Sequence, residues 1–186
     1  MAPTSPETSI PLWALGLAGF CLGAIVGSFL ATVLVRWPDA APGRERAVAA
    51  LTRHPSVRTA ERTRLAATLR PGPTDRPRAA GIHTHRWFEV RTGDVDAFVE
   101  LSGRAWPEFE RDFDADIFGL FRAAQDADEA RRGVTRMLLN TRYASHAVWE
   151  ASRTPSPQAA DAFRRRRDLT LTTRVASLSF VPIGGP

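Results

Sequence analysis

Hydrophobic and polar positions divide this chain into three stretches with different patterns. From Leu12 to Val35 no side chain is charged, and almost all are apolar or small. A helix rises about 1.5 Å per residue, so about 20 such residues cross the hydrocarbon core of a bilayer. A helix also satisfies its own backbone groups, as lipid demands. The run therefore predicts one transmembrane helix over residues 12–35, behind a short tail over 1–11. That tail carries no basic residue and the apolar core is long, which favours a retained anchor over a cleaved signal peptide. Arg36, Arg44, Arg46 and Arg53 follow the span and no arginine precedes it. The expected topology is single-pass in the inner membrane, with the N-terminus outside and the remainder cytoplasmic. Trp13 and Trp37 stand near the two ends, where indoles favour the interface. Gly19, Gly23, Gly27 and Ala31 recur at every fourth position and form a candidate helix-packing face.

Residues 36–80 carry no sustained period. They are rich in Arg, Ala, Pro and Thr. Ala47–Leu69 has sparse apolar points at Val48, Leu51, Leu65 and Leu69, interrupted at His54-Pro55. Pro71, Pro73 and Pro77 break any regular structure after Leu69. The expectation is a partly helical, largely solvated tether.

From Gly81 the periods become regular. Residues 82–91 alternate, with Ile82, Thr84, Arg86, Phe88 and Val90 on one face and His83, His85, Trp87 and Glu89 on the other. Val95, Phe98, Ser102, Ala105, Trp106, Phe109 and Phe113 then recur at steps of three and four, the mark of an amphipathic helix. Pro107 should kink it near Gly103. Asp116–Arg122 reads as a strand, Gln125–Gly133 as a charged loop and Val134–Tyr143 as a stronger strand. Ser145 is an N-cap candidate for a helix holding Val148 and Trp149. Thr154-Pro155-Ser156-Pro157 interrupts it, Gln158–Arg167 resumes helix, and Leu169–Val181 is the last strand. The order β-α-β-β-α-β predicts an α+β, ferredoxin-like domain over 81–186. Helices cover one face of such a sheet. The other face needs a partner, and two copies meeting sheet to sheet under two-fold symmetry would supply one.

Charge sharpens this division. The 186 residues carry a net charge of +5, and every one of the 25 basic residues is arginine. That bias points to GC-rich codons and a bacterial source. Residues 36–80 hold 10 arginines against 4 acids, whereas residues 81–186 hold 15 against 15. The basic character thus belongs to the linker, where it suits anionic lipid headgroups. No aromatic residue interleaves with the arginines of residues 39–80, so nucleic acid is not an expected partner. The single cysteine, Cys21, excludes an intrachain disulfide or a CxxC metal site.

Two resemblances rest on these residues. Gly27-Ser28-Phe29-Leu30-Ala31-Thr32-Val33 with Arg36-Trp37-Pro38 resembles the first-helix motif of prepilin leader peptidases, with Ala31 where that family has asparagine. The likeness covers about residues 16–38. The family's cysteine pairs and catalytic aspartates have no counterpart here, so it implies a truncated or fused relative without peptidase activity. His85-Arg86-Trp87-Phe88-Glu89-Val90-Arg91, Gly93 and the helix after it resemble the start of NIPSNAP-like domains. Gly119-Leu120-Phe121, Thr141-Arg142-Tyr143 and Trp149-Glu150-Ala151-Ser152-Arg153 resemble their later elements. This second likeness spans residues 81–183. It implies a dimeric α/β barrel, but no particular chemistry, because fold does not dictate function.

Candidate site residues are few. His83 and His85 share a strand face, but no third ligand or H-x-x-E-H pattern makes them a metal site. Trp87, Arg142, Tyr143 and Trp149 complete a candidate ligand pocket, since arginine and aromatics suit an anionic or aromatic ligand. Arg164–Arg167 reads as a solvated helical face. No phosphate loop, nucleophile elbow or zinc spacing occurs, and no cofactor is implied. The sequence is thus expected to be a membrane-tethered homodimeric module that binds a small ligand or partner. One alternative is a cofactor-free monooxygenase- or isomerase-like enzyme using His83, His85, Arg142 and Tyr143; the other is the prepilin-peptidase relative.

Overall fold

A computed structural model describes residues 44–53, 59–72, 74–78 and 80–179. The run Leu12–Val35, with Gly19, Gly23, Gly27, Ala31 and the peptidase-like motif, lies outside them. Among the described residues no helix is long and apolar enough to cross a membrane.

Among the described residues five strands and five α-helices follow in chain order: α1 (Arg44–Thr52), β1 (Leu65–Ala67), β2 (Ile82–Arg91), α2 (Val95–Asp112), β3 (Ala115–Ala123), α3 (Ala127–Arg132), β4 (Val134–Tyr143), α4 (His146–Ala151), α5 (Pro157–Asp168) and β5 (Thr170–Ser179), with a single 3-10 turn at Thr92–Asp94 leading into α2. The strands form one sheet in the order β1-β3-β4-β2-β5, with every neighbouring pair antiparallel. The protein is therefore α+β, and its topology is compatible with the ferredoxin-like arrangement. β4 is the middle strand, between β3 and β2, and it pairs with β2 along its full length, from Ile82 opposite Tyr143 to Arg91 opposite Val134.

The alternation in β2 decides which side is which. Phe88 and Val90 turn to the helices, as do Met137 and Leu139 of β4 and Ile117 and Leu120 of β3. Val95, Phe98, Leu101, Ser102, Ala105, Trp106 and Phe109 are the buried positions of α2. Phe88 meets Phe98 edge-on at 5.1 Å, and Phe109 meets Phe163 of α5 edge-on at 5.9 Å. Such geometry adds quadrupole attraction to the burial of large apolar surface. α2 runs as one helix through the exposed Pro107.

Two features depart from the sequence expectation. Residues 125–133 are not wholly a loop: α3 occupies Ala127–Arg132. The Asp126 carboxylate accepts from the backbone N–H of Asp128 and Glu129, and the Glu129 carboxylate accepts from that of Asp126. This reciprocal capping starts the turn, and Gly133 at φ 63° ends it in the left-handed conformation. The segment lacks an apolar stripe, so periodicity cannot reveal it.

The linker also departs from a solvated tether. Leu65–Ala67 adds an edge strand beside Phe121–Ala123. Beyond it, the N–H of Leu120 bonds the Arg70 carbonyl at 3.2 Å, and Pro71 is buried against Gly119. A Cβ on Gly119 would stand 2.6 Å from Pro71 Cδ and 2.9 Å from the Arg70 carbonyl oxygen, so only glycine admits this approach. Arg70 in turn bonds Glu110 at 2.7 Å and lies over the Trp106 ring.

Candidate functional site

The sheet has a second face, turned away from α2 and α5. Its residues are the alternate members of the same strands. Across β2 and β4 the pairs are His83 with Arg142, His85 with Asn140, Trp87 with Leu138 and Glu89 with Arg136. β3 adds Asp116 beside Arg142 and Phe121 beside Leu138. The far face thus runs from an ionic end, through a neutral polar pair, to an apolar patch and a second ionic end.

At the first ionic end Arg142 is buried and anchored through two of its nitrogens. Its Nε donates to the Ala80 carbonyl at 2.7 Å, and its Nη1 donates to Asp114 at 2.8 Å and Asp116 at 3.1 Å. Arg78 reaches Asp116 as well. A cleft of about 270 Å³ opens here, lined by His83, Arg142, Asp116, Arg78, Arg70 and Glu110 among others. Arg70, Arg78 and Arg142 have carboxylate partners here, so Arg142 works first as a clamp that holds the linker to the strand ends.

The middle pair is different. His85 is 2% exposed and Asn140 is 1% exposed. Neither ring nitrogen of His85 and neither polar atom of the Asn140 amide has a hydrogen-bond partner among the described residues. Burial, helped by the neighbouring His83, pushes the His85 imidazole down from 6.5 to about 4. At neutral pH it is uncharged, offering one donor and one acceptor. Asn140 offers two donors and an acceptor. Beside this pair lie Trp87, Leu138 and Phe121, the last two buried. At the far end Arg136 lies over the Trp87 ring and pairs with the buried Glu129.

The six residues singled out from the sequence therefore separate into two groups. His83, His85, Trp87 and Arg142 share the far face. Tyr143 faces the helices, where its ring meets Phe109 edge-on at 6.2 Å. Trp149 of α4 packs against the helix-side core, with Arg153 over its ring. Strand parity divides Arg142 from Tyr143, since successive residues point to opposite faces. Asn140 is the residue that pattern reasoning passed over. Its signal is an amide in the far-face register directly after Met137-Leu138-Leu139. Among the described residues no group of three His, Cys, Asp or Glu side chains is arranged to hold a metal ion.

Arg166 is the second residue passed over. Arg164, Arg165 and Arg167 are exposed as a solvated face requires, but Arg166 is 6% exposed. Its guanidinium lies between the rings of Phe163, Phe88 and Phe98 at 5.0, 5.1 and 5.6 Å. No protein-family model matches the chain, and no curated protein sequence matches it.

Proposed function

We propose that the protein is a membrane-tethered, NIPSNAP-like homodimeric module that binds a small uncharged ligand against the far face of its sheet. The observation that carries this reading is the His85–Asn140 pair: buried, cross-strand, and without hydrogen-bond partners among the described residues. Buried polar groups are costly unless bonded, so a ligand with matched donors and acceptors is the natural complement. A neutral imidazole beside an amide suits carbonyl, hydroxyl or amide groups better than a charged group. Trp87, Leu138 and Phe121 suit an apolar part of the same molecule. The low basicity of His85 fits recognition better than proton abstraction at neutral pH, which favours binding over the enzyme reading. Tethering rests on the run Leu12–Val35, and dimerisation on the NIPSNAP-like resemblance and the antiparallel sheet topology.

The test is native mass spectrometry of the full chain, extracted in detergent from membranes. The expected species is a dimer carrying a small adduct. His85→Leu with Asn140→Leu should keep the dimer and lose the adduct. A bare monomer, or an adduct that survives the double substitution, would overturn the reading. Recovery of the full chain in the soluble fraction would overturn the tether.

A further inference from the structure

The other unusual group lies on the opposite side of the sheet. Arg166 of α5 and Arg86 of β2 both lie on the helix side, where burial first and then the charge of Arg86 lower the Arg166 guanidinium to about 10. Both belong to the surroundings of Phe88: Arg86 precedes it by two positions on the same strand face, and the Arg166 guanidinium lies 5.1 Å from its ring. Neither arginine forms an ion pair among the described residues, although ten other arginines there do. The Arg86 Nε is buried without an acceptor. Arg166 has one long contact, from its Nη1 to Ser102 Oγ at 3.5 Å.

Three aromatic rings offset part of the cost of burying one guanidinium. They do nothing for the repulsion between two, and they accept none of the Arg86 Nε–H in the usual sense. A buried cation demands a counter-charge, and a forked guanidinium demands planar acceptors. We propose that Arg86 and Arg166 form a binding site for a small oxyanion, a carboxylate or phosphate group held between the two guanidiniums. Ser102, wholly buried on α2, donates its hydroxyl to the Phe98 carbonyl at 2.8 Å and accepts from Arg166, so it positions that guanidinium and leaves the anion to the two arginines. Arg86 is only half-buried, which leaves the anion a route to solvent. The site is independent of the His85–Asn140 pair, because β2 turns the two residues to opposite faces.

The experiment uses the full chain in detergent and reads its melting temperature against inorganic phosphate or succinate, with chloride at matched ionic strength as the control. A saturable rise with phosphate or succinate and none with chloride is expected. Arg86→Met should weaken the apparent affinity roughly ten- to a hundredfold, the loss of one charge-assisted contact. Arg166→Met should abolish the rise. If Arg166→Met does not fold, Arg86→Met decides alone, since its position is partly solvated. Which of the two anions saturates first separates a phosphate site from a carboxylate site. No saturable rise, or an equal rise in wild type and Arg86→Met, would overturn the proposal.

Discussion

The two faces of the sheet are written in alternate letters of the same strands, yet they are filled by different physics. On β2, Phe88 and Val90 enter a core with Phe98, Met137 and Leu120. One residue out of step, His85 and Trp87 enter a surface shared with Asn140, Leu138 and Arg142. The helix side is stabilised by burial of apolar area and by edge-on rings, which need no partner outside the fold. The middle of the far side buries the donors and acceptors of His85 and Asn140, which gain nothing until something bonds them. The first face specifies a structure. The second is the place where the fold leaves chemistry unfinished.

Substitutions on each face should expose that contrast. The largest effect belongs to the helix side: Phe98→Ala, at a fully buried ring, should cost about 3–5 kcal/mol in urea unfolding. A loss under 1 kcal/mol would mean that the helix side is not the mainstay of the fold.

The far side should respond to pH instead. The folded state depresses His85 from 6.5 to about 4, so it binds fewer protons than the unfolded chain between those values. Stability is then full above pH 6.5 and declines as pH falls from 6.5 toward 4, by up to about 3 kcal/mol. His85→Leu should flatten that part of the profile at unchanged stability near pH 7. A wild-type urea midpoint that is level between pH 7 and 5 would contradict the burial of this ring.

The edge between the faces should respond more weakly. Gly119→Ala forces Cβ against Pro71 and the Arg70 carbonyl and should cost about 1–3 kcal/mol. It should also open residues 65–72 to proteolysis before the core. Equal protease resistance in variant and wild type would return the linker to the status of a free tether. The smallest effect is expected away from both faces. Gly133→Ala, at φ 63° and with open space around it, should cost about 1 kcal/mol through backbone strain alone.

Much of this contrast can be read from the chain because strand and helix periods are local. Residues 82–91 alternate, and the alternation fixes the faces of β2 without knowledge of any neighbour. Val134–Tyr143 reads as a strand from its own composition, and Ser145 reads as an N-cap because a hydroxyl there meets the N–H of Val148. α3 escapes such reading because its order comes from a capping box and a left-handed glycine, not from an apolar stripe. The candidate pocket is only half visible. Adjacent residues Arg142 and Tyr143 look like neighbours in a site until the pleat sends them to opposite faces. Asn140 looks like a strand residue until cross-strand register sets it against His85.

The sequence by itself determined the β-α-β-β-α-β succession of the main elements, the amphipathic face of α2 and the net-neutral character of residues 81–186, because each follows from spacing or composition within one segment. Only the tertiary structure decided that Leu65–Ala67 joins the sheet, that Arg142 is tied to Asp114 and Asp116, and that Arg166 alone of four consecutive arginines is enclosed by phenylalanines. The physical reason is the same in each case. Burial and ion pairing depend on what comes from elsewhere in the chain, and helix phase turns one arginine of the run inward while its neighbours stay in water.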